Sequence, residues 1–286
     1  YYSEREKRTL TQKPKFTVAN FISGEFSDEL EKYLTDQVPL RDGWVTMKTY
    51  MELAIGKRES GGVYICKDKY LMDKFTSYSK KQLAANAAAL ADLQEKLAAE
   101  GVSMNTILVH MAAQVLTDKL PAYAPAADYA AIFQVLTDAG VDTVNVWSTL
   151  AAHSDENIYY RTDHHWTQLG AYYAYTAFCE AAGFDAVPLE QFQTGRYDTF
   201  LGSMYTFTKG YPQSDVLKQH PDYLDYYLPI ADTHARYYAD GSLENGTPVS
   251  VVYTQLDESV SNKYLCFIGG DTPVCIVESD VQGPTC

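Results

Sequence analysis

Residues 79–110, SKKQLAANAAALADLQEKLAAEGVSMNTILVH, combine a long helical pattern with a short apolar run. The first part is rich in Ala, Leu, Gln, Glu and Lys, which favour helices, and it ends at Gly101. We therefore predict a helix over 79–100. The run Thr-Ile-Leu-Val-His at 106–110 has no polar alternation, which is typical of a strand covered on both faces of its sheet.

The same order of helix and strand recurs on either side of this stretch. A helical pattern over 126–139 ends before a glycine and leads into an apolar run at 141–146. A further helix is predicted over 167–182, and the Val-Tyr-Ile-Cys run at 63–66 is predicted to be the first strand. Alternating helices and strands indicate an α/β fold, with a mainly parallel sheet flanked by helices.

The composition changes outside this core. Residues 27–54 have apolar positions at helical spacing that are interrupted at Pro39, which predicts two helices. Residues 190–255 are rich in Tyr, Asp, Gly, Thr and Pro, with strand-like pieces at 204–208 and 249–254. This part is predicted to be a β-rich insertion.

We therefore expect three regions along the chain. Two apolar runs, 264–268 and 274–277, have strand character and are assigned to the core. The regions are an N-terminal arm with helices packing on the core (1–60), an α/β core (61–190 with 256–286) and the β-rich insertion (191–255).

Composition and charge exclude several functional classes. The chain has 286 residues and a formal net charge of −14, which opposes a polyphosphate backbone, so nucleic acid is not an expected partner. No stretch approaches about 18 uninterrupted apolar residues, so no segment is expected to span a bilayer. The five cysteines contain no C-x-x-C pair, which argues against a zinc knuckle or a thioredoxin motif.

The segment Ile-Tyr-Tyr-Arg-Thr-Asp-His-His-Trp-Thr at 158–167 concentrates groups that carry chemistry. It lies between a predicted strand and a predicted helix, where α/β proteins place their ligands. In a catalytic interpretation, the Asp163 carboxylate accepts a hydrogen bond from His165 and fixes its tautomer. His165 then removes a proton from a hydroxyl nucleophile, as in a Ser-His-Asp arrangement.

Two other interpretations of this segment stay open. A metal site needs three or four converging ligands, but neighbouring side chains on a regular element point apart, which argues against Asp163, His164 and His165 as a ligand set. In a structural interpretation, Thr162 or Asp163 only caps the following helix.

Further residues of the segment are candidates for substrate binding. Arg161 could bind a carboxylate-bearing sugar through two hydrogen bonds, or it could anchor the loop to an acidic neighbour. Trp166 could stack on a sugar, although core packing is the more common role of a tryptophan. His164 is a third candidate, and His110 ends a predicted core strand.

The sequence Asp-His-His-Trp at 163–166, followed by Gly-Ala-Tyr-Tyr at 170–173, resembles the signature of the bacterial DHHW protein family. The segments at 21–26, 36–42 and 61–65 also resemble early segments of that family. Its members are related to the SGNH-hydrolase-like alginate O-acetyltransferases. The resemblance implies an SGNH-like, flavodoxin-like fold.

The resemblance also implies roles for particular residues. The relatives use a D-x-H motif as the acid and base of a triad, which corresponds to Asp163 and His165. Their nucleophilic serine lies in a D-S-Y segment, and we expect it beyond Cys286, together with the C-terminal part of the sheet. Thr272, in a Gly-Asp-Thr sequence, is a possible substitute nucleophile, but a β-turn is the preferred interpretation there.

The expected function is that of an extracytoplasmic carbohydrate O-acyltransferase or esterase of SGNH-like type. The resemblance implies a polysaccharide or cell-envelope glycan as substrate and a membrane acyl-donor protein as a partner, with no cofactor and no metal. Because the chain begins at Tyr1 without Met, we expect an export signal or membrane anchor before it. The alternatives are a non-catalytic glycan-binding or cell-surface module and a metal-dependent hydrolase.

Overall fold

The structure, a computed structural model, describes residues 2–3, 8–208, 212–271 and 273–281. Thr272 and Cys286, which carry two of the expectations above, lie outside the described residues. The helices are α1 Val18–Ser23, α2 Glu25–Asp36, α3 Arg41–Ala54, α4 Lys80–Ala99, α5 Ala112–Val115, α6 Tyr129–Asp138, α7 Trp147–Ala152, α8 Gln168–Ala182, α9 Ser203–Phe207 and α10 Pro212–Gln219. The strands are β1 Tyr2–Ser3, β2 Arg8–Thr9, β3 Glu59–Ser60, β4 Val63–Ile65, β5 Leu71–Asp73, β6 Thr106–Ile107, β7 Thr143–Val144, β8 Thr194–Phe200, β9 Asp222–Tyr227, β10 Thr233–Tyr238, β11 Thr247–Val249 and β12 Val274–Ser279.

The longest predicted helices form at the expected places because their ends carry local signals. Ser79 caps α4 by accepting a hydrogen bond from the N–H of Gln82, and Gly101, just beyond α4, has a positive φ. Thr167 caps α8 in the same way, and the left-handed Gly183 ends it. The predictions for α2, α3, α4, α6 and α8 are confirmed.

The sheet arrangement differs from the predicted one. The fold is mixed α/β, and β6 and β7 pair in parallel as expected, but a mainly parallel sheet is not confirmed, because the other strand pairs in the described residues are antiparallel. β4 and β5 pair antiparallel through the short turn Lys67–Lys69. Such a connection is too short for the crossover that a parallel pair requires.

Three strand predictions in the C-terminal half are wrong in whole or in part. Of residues 249–254, only Val249 lies in a strand, at the end of β11. Residues 204–208 fall in and just after helix α9, and residues 264–268 begin in the short 3₁₀ turn Lys263–Cys266. Phe267 then pairs with Val252 in an isolated bridge. Aromatic-rich pieces of this length do not distinguish a strand from one helical turn, and tertiary contacts decide between them.

The C-terminal strand connects two of the predicted regions. β12 pairs with β10 over six residue pairs, and β11 pairs with the other edge of β10. The sheet therefore joins residues from 191–255 with residues from 256–286. The division of the chain into three regions stays a prediction.

Two apolar clusters meet beneath the segment 158–167. Ile158 and Tyr159 belong to a cluster with residues of α5, α7 and β5, whereas Tyr160 belongs to a cluster with Phe200 and Leu224. One short stretch of chain therefore contributes side chains to both clusters. This packing fixes the backbone from which the candidate loop leaves.

Among the described residues, no helix is both long and apolar enough to cross a membrane.

Gly170 allows α8 to pack closely on this extended segment. A Cβ at Gly170 would lie 2.4 Å from the backbone oxygen of Ile158, which cannot move without shifting the chain. We expect Gly170→Ala to lower the free energy of unfolding by about 1–3 kcal/mol, although alanine ordinarily favours a helix. Urea unfolding measures the change.

Gly43 in α3 is the matched control, because a Cβ there would meet nothing within 4 Å. Gly43→Ala should raise the free energy of unfolding by about 0.5–1 kcal/mol. Equal effects of the two substitutions would contradict the close contact at Gly170.

Candidate functional site

The candidate loop at 160–165 is closed at its base by backbone pairing. Tyr160 N–H donates to the oxygen of His165 at 3.3 Å, and Tyr159 forms a bridge with Trp166. Thr167 then begins α8, so the proposal that Thr162 or Asp163 caps this helix is wrong. The polar residues of the loop are therefore available for other contacts.

Asp163 and His165 form the pair that the sequence predicted. Asp163 is 3% exposed, and His165 Nδ1 lies 2.6 Å from its Oδ1 atom, while the backbone N–H of His165 donates to the same oxygen at 3.1 Å. Half of the His165 side chain remains exposed. The buried carboxylate thus holds one ring nitrogen, and the imidazole is open to solvent on its other side.

The second carboxylate oxygen is held by the start of α9. Ser203 donates to Asp163 Oδ2 from its backbone N–H at 2.7 Å, and its Oγ lies 3.0 Å from the same oxygen. The preceding Gly202 has no room for a side chain, because a Cβ there would lie 2.3 Å from both the Cβ and Oδ2 of Asp163. The approach of α9 to the loop therefore requires glycine.

Pairing lowers the pKa of Asp163 and raises the pKa of His165. Burial alone raises the pKa of Asp163, but the hydrogen bonds from His165 and Ser203 outweigh it and hold the pKa well below the ordinary 3.8. The hydrogen bond to Asp163 raises the pKa of His165 above 6.5, against the opposing effect of burial. The carboxyl group of Asp163 therefore stays ionised at neutral pH, and His165 is a stronger base than a free imidazole.

Three groups that the sequence analysis did not single out also face the pair. Tyr264, in the turn Lys263–Cys266, donates its hydroxyl hydrogen to Asp163 Oδ1 at 3.1 Å. The charges of Asp73, at the end of β5, and of Asp271 further raise the pKa of His165. All three are distant from the loop along the chain, and no local pattern in the sequence indicates their approach.

Arg161 and Thr162 anchor the loop to a second buried carboxylate. Arg161 Nε donates to Asp222 Oδ1 at 2.9 Å, while the backbone N–H and hydroxyl of Thr162 donate to Asp222 Oδ2 at 2.8 and 2.7 Å. Arg161 therefore anchors the loop to an acidic neighbour, which is one of the two roles expected for it. A role for Arg161 in substrate binding stays a prediction.

The other predicted residues lie around the loop in different settings. His164 Nδ1 contacts the Ser203 hydroxyl at 2.8 Å, and Trp166 packs partly buried against the larger apolar cluster. His110 is buried, and its backbone oxygen accepts a hydrogen bond from Tyr159 at 2.7 Å. Substrate contacts of His164 and Trp166 stay predictions.

The side chains of Asp163, His164 and His165 converge, contrary to the expectation that neighbouring side chains point apart. Asp163, His164 and His165 offer one atom each within 4.8 Å of one another. The Asp163 oxygen that faces both histidines already accepts hydrogen bonds from His165 and Tyr264. These contacts fit a hydrogen-bonded pair with a neighbouring histidine, and the expected absence of a metal stays a prediction.

The structure thus defines a mixed α/β protein that carries a buried aspartate and a half-exposed histidine on one anchored loop. The chain belongs to the DHHW protein family, whose sequence profile matches residues 59–284. This confirms the resemblance found in the sequence.

Individual relatives agree with this assignment. Two curated proteins named probable alginate O-acetylase AlgJ are each 23% identical, one from Pseudomonas syringae pv. tomato over 71% of this chain and one from Pseudomonas aeruginosa over 76%. The chain covers 56% and 59% of the length of these two relatives.

Solved structures show the same fold. A DHHW family protein from Eubacterium siraeum is 27% identical, with 78% of this chain and 72% of that chain covered and a TM-score of 0.60. PatB1 from Bacillus cereus is 17% identical, with 74% of each chain covered and a TM-score of 0.57, which is a likeness of fold.

The Asp163–His165 pair makes the stability of the fold depend on pH. Because the folded pKa of His165 is raised above 6.5, the pair stabilises the fold at pH values below that and loses this contribution as the pH rises through the folded pKa. His165→Gln should therefore lower the free energy of unfolding more at pH 6 than at pH 9. Since the imidazole is half exposed, we expect the difference to stay below about 1 kcal/mol.

Urea unfolding of the protein and of His165→Gln at both pH values tests this expectation. In an Asp163→Asn background the pH-dependent difference should be smaller, because the largest cause of the raised pKa is gone while the charges of Asp271 and Asp73 remain. A difference of undiminished size in that background would contradict the assigned pairing.

The contact of Gly202 with Asp163 gives a second prediction. Gly202→Ala must displace the Asp163 carboxylate, so the pKa of His165 should fall towards 6.5 and the free energy of unfolding should drop by about 1–3 kcal/mol. An NMR titration of the His165 ring proton measures the pKa.

Ser203→Ala is the control for this substitution, because it keeps the backbone N–H that donates to Asp163. The pKa of His165 should remain above 6.5 in that variant. If Ser203→Ala lowers this pKa as much as Gly202→Ala, the steric explanation is wrong.

Proposed function

We propose that this chain is part of an extracytoplasmic carbohydrate O-acyltransferase or esterase of SGNH-like type. One observation carries the proposal, namely the 2.6 Å contact that fixes His165 Nδ1 on the buried Asp163 carboxylate and leaves the other ring nitrogen free to exchange a proton. This is the arrangement that a hydroxyl nucleophile requires for its activation.

In the proposed mechanism His165 acts first as a base and then as an acid. Its Nε2 atom takes the proton of a serine hydroxyl while the serine oxygen attacks the acyl carbonyl, and backbone N–H groups stabilise the resulting oxyanion. The imidazolium then protonates the departing alkoxide, which leaves an acyl-serine. His165 then deprotonates a sugar hydroxyl or water, whose oxygen attacks this ester. The imidazolium returns that proton to the departing serine oxygen, so the serine is restored and the acyl group leaves on the sugar or as the free acid.

Asp163 contributes orientation and charge to each of these steps. Its hydrogen bond with Nδ1 directs Nε2 away from the buried carboxylate, and its negative charge stabilises the imidazolium that forms. Its low pKa keeps the carboxylate ionised at neutral pH. The mechanism needs no metal and no cofactor.

The nucleophile in this proposal is a serine in a family D-S-Y segment beyond Cys286. Within the described parts of the chain, no hydroxyl or thiol is hydrogen-bonded to His165 Nε2. Ser203 contacts Asp163 Oδ2 and His164 Nδ1, so its hydroxyl supports the carboxylate and does not approach the free nitrogen of His165.

The proposed substrate rests on the names of the relatives and on the net charge of the chain. The names of the relatives, probable alginate O-acetylases, support a polysaccharide or cell-envelope glycan as substrate. A membrane acyl-donor protein as partner stays a prediction from the family resemblance. A net charge of −14 repels an anionic polymer, which favours a neutral glycan. Attachment to a membrane is proposed only through a segment preceding Tyr1.

A non-catalytic glycan-binding or cell-surface module is the second candidate. It is favoured by the lack of a nucleophile next to His165 among the residues that the structure describes. The two candidates differ in one measurable property, because a binding module retains glycan but releases no acetate from an acetylated sugar.

The full-length protein should therefore hydrolyse an acetyl ester such as 4-nitrophenyl acetate, and the two histidines should contribute unequally. His165→Ala should lower kcat/KM by about 10²–10⁴-fold, because it removes the general base. His164→Ala should cost less than about tenfold, because His164 contacts Ser203 and does not bind Asp163 at hydrogen-bonding distance.

His164→Ala is the matched control, since the two histidines are neighbours on the same loop. Equal losses in both variants would contradict the D-x-H assignment. Unchanged hydrolysis after Ser→Ala in the D-S-Y segment would exclude the proposed acyl-enzyme.

A further inference from the structure

Tyr264 reaches the Asp163–His165 pair from a distant part of the chain. Its hydroxyl donates to Asp163 Oδ1, 101 residues away in sequence, and this is the oxygen that also accepts from His165. The rings of Tyr264 and His165 are 5.1 Å apart at an interplanar angle of 64°. Tyr264 therefore contacts both members of the pair.

Ring packing alone does not account for a tyrosine at this position. The ring of Tyr264 packs edge-on against Phe200 and Tyr160, where a phenylalanine ring would pack equally well. A partly buried hydroxyl loses hydration unless it finds an acceptor, and this one is directed at a buried carboxylate. The hydroxyl thus has a specific partner within the site.

We propose that Tyr264 is a positioning residue that shares Asp163 Oδ1 with His165, orients the carboxylate and moderates the basicity of His165. The role as stated rests on the proposed function, in which His165 is the general base. Neither the D-x-H motif nor the sequence around Tyr264 indicates it.

The physical reason is competition between two donors for one oxygen. A hydrogen bond from the phenol draws negative charge from Oδ1, so the carboxylate stabilises the protonated imidazole less strongly. The phenol cannot lose its proton in exchange, because burial and the charge of Asp163 raise the pKa of Tyr264 far above its usual value. Tyr264 therefore remains a donor throughout the reaction.

The other charged and titratable groups around His165 act in different ways. Asp163, Asp271 and Asp73 stabilise its protonated form, and the ring of His164 lies 3.9 Å from its ring. A base that is surrounded by carboxylates would hold its proton too strongly to work near neutral pH. The hydroxyl of Tyr264 opposes this effect at the nearest of the three carboxylates.

Tyr264→Phe tests the proposal, because it keeps the ring and removes only the donor. The pKa of His165, measured by NMR titration of its ring proton in this chain, should rise by about half a unit. No change, or a fall, would overturn the proposal. The signal is assigned by its loss in His165→Gln.

Tyr160→Phe is the matched control. Tyr160 lies in the same aromatic cluster, but its hydroxyl donates to Gln168 and does not touch Asp163. Its removal should leave the pKa of His165 unchanged, and an equal rise in this variant would show that the effect comes from general loosening of the cluster.

A second probe covers the case in which Tyr264→Phe does not fold. Incorporation of 3-fluorotyrosine at position 264 keeps the hydroxyl and makes it a stronger donor, so the pKa of His165 should fall. In an Asp163→Asn background neither change at position 264 should alter this pKa. A shift that persists there would overturn the assigned contact.

These titrations need no substrate, so they separate this inference from the proposed function. If the pKa shifts as expected but the full-length protein has no esterase activity, the proposed function fails while the contact stands. If the protein is active, the acidic limb of its kcat/KM profile should move to higher pH in Tyr264→Phe by the same amount. An active protein with an unshifted limb would overturn the role of Tyr264.

Discussion

The burial of the Asp163 carboxylate is the constraint on which the site depends. An ionised carboxylate loses several kcal/mol of hydration when it leaves water unless hydrogen bonds replace the lost solvent. Here the replacement donors come from His165, from Ser203 at the start of α9 and from Tyr264 in a distant turn. Three separate segments must meet for the charge to be tolerated, so the folded state and the geometry of the site stabilise one another.

A second buried carboxylate, Asp222, extends the same logic to the preceding residues. It accepts hydrogen bonds from Arg161 and Thr162, and Thr162 in turn accepts from the backbone N–H of Gly202. The two carboxylates thus hold opposite sides of one short loop and connect it to β9 and α9. The direction of the His165 ring is consequently set by hydrogen bonds from several elements, as the proton transfer of the proposed mechanism requires.

The sequence predicted those parts of the molecule that depend on local signals. The helices α4 and α8 lie at the predicted places, although α8 is capped by Thr167 and not by Thr162 or Asp163. The Asp163–His165 pair was predictable because the two residues lie two positions apart in one loop. The strand pairing could not be predicted, because short apolar runs do not specify a partner. The helical turn α9 and the contact of Tyr264 were missed for the same reason, since both depend on residues far away in the chain.

The electrostatics of the loop favour a catalytic role over simple binding. Burying the Asp163 carboxylate costs hydration free energy, and a glycan-binding surface gains nothing from a fixed His165 tautomer. The arrangement is useful where the opposite nitrogen accepts and returns a proton. In the proposed mechanism the carboxylates of Asp73 and Asp271 strengthen His165 as a base, and the hydrogen bond from the Tyr264 phenol to Asp163 limits that strengthening. Opposing influences of this kind bring the pKa of a general base close to the pH at which it works, which is a requirement of catalysis and not of folding.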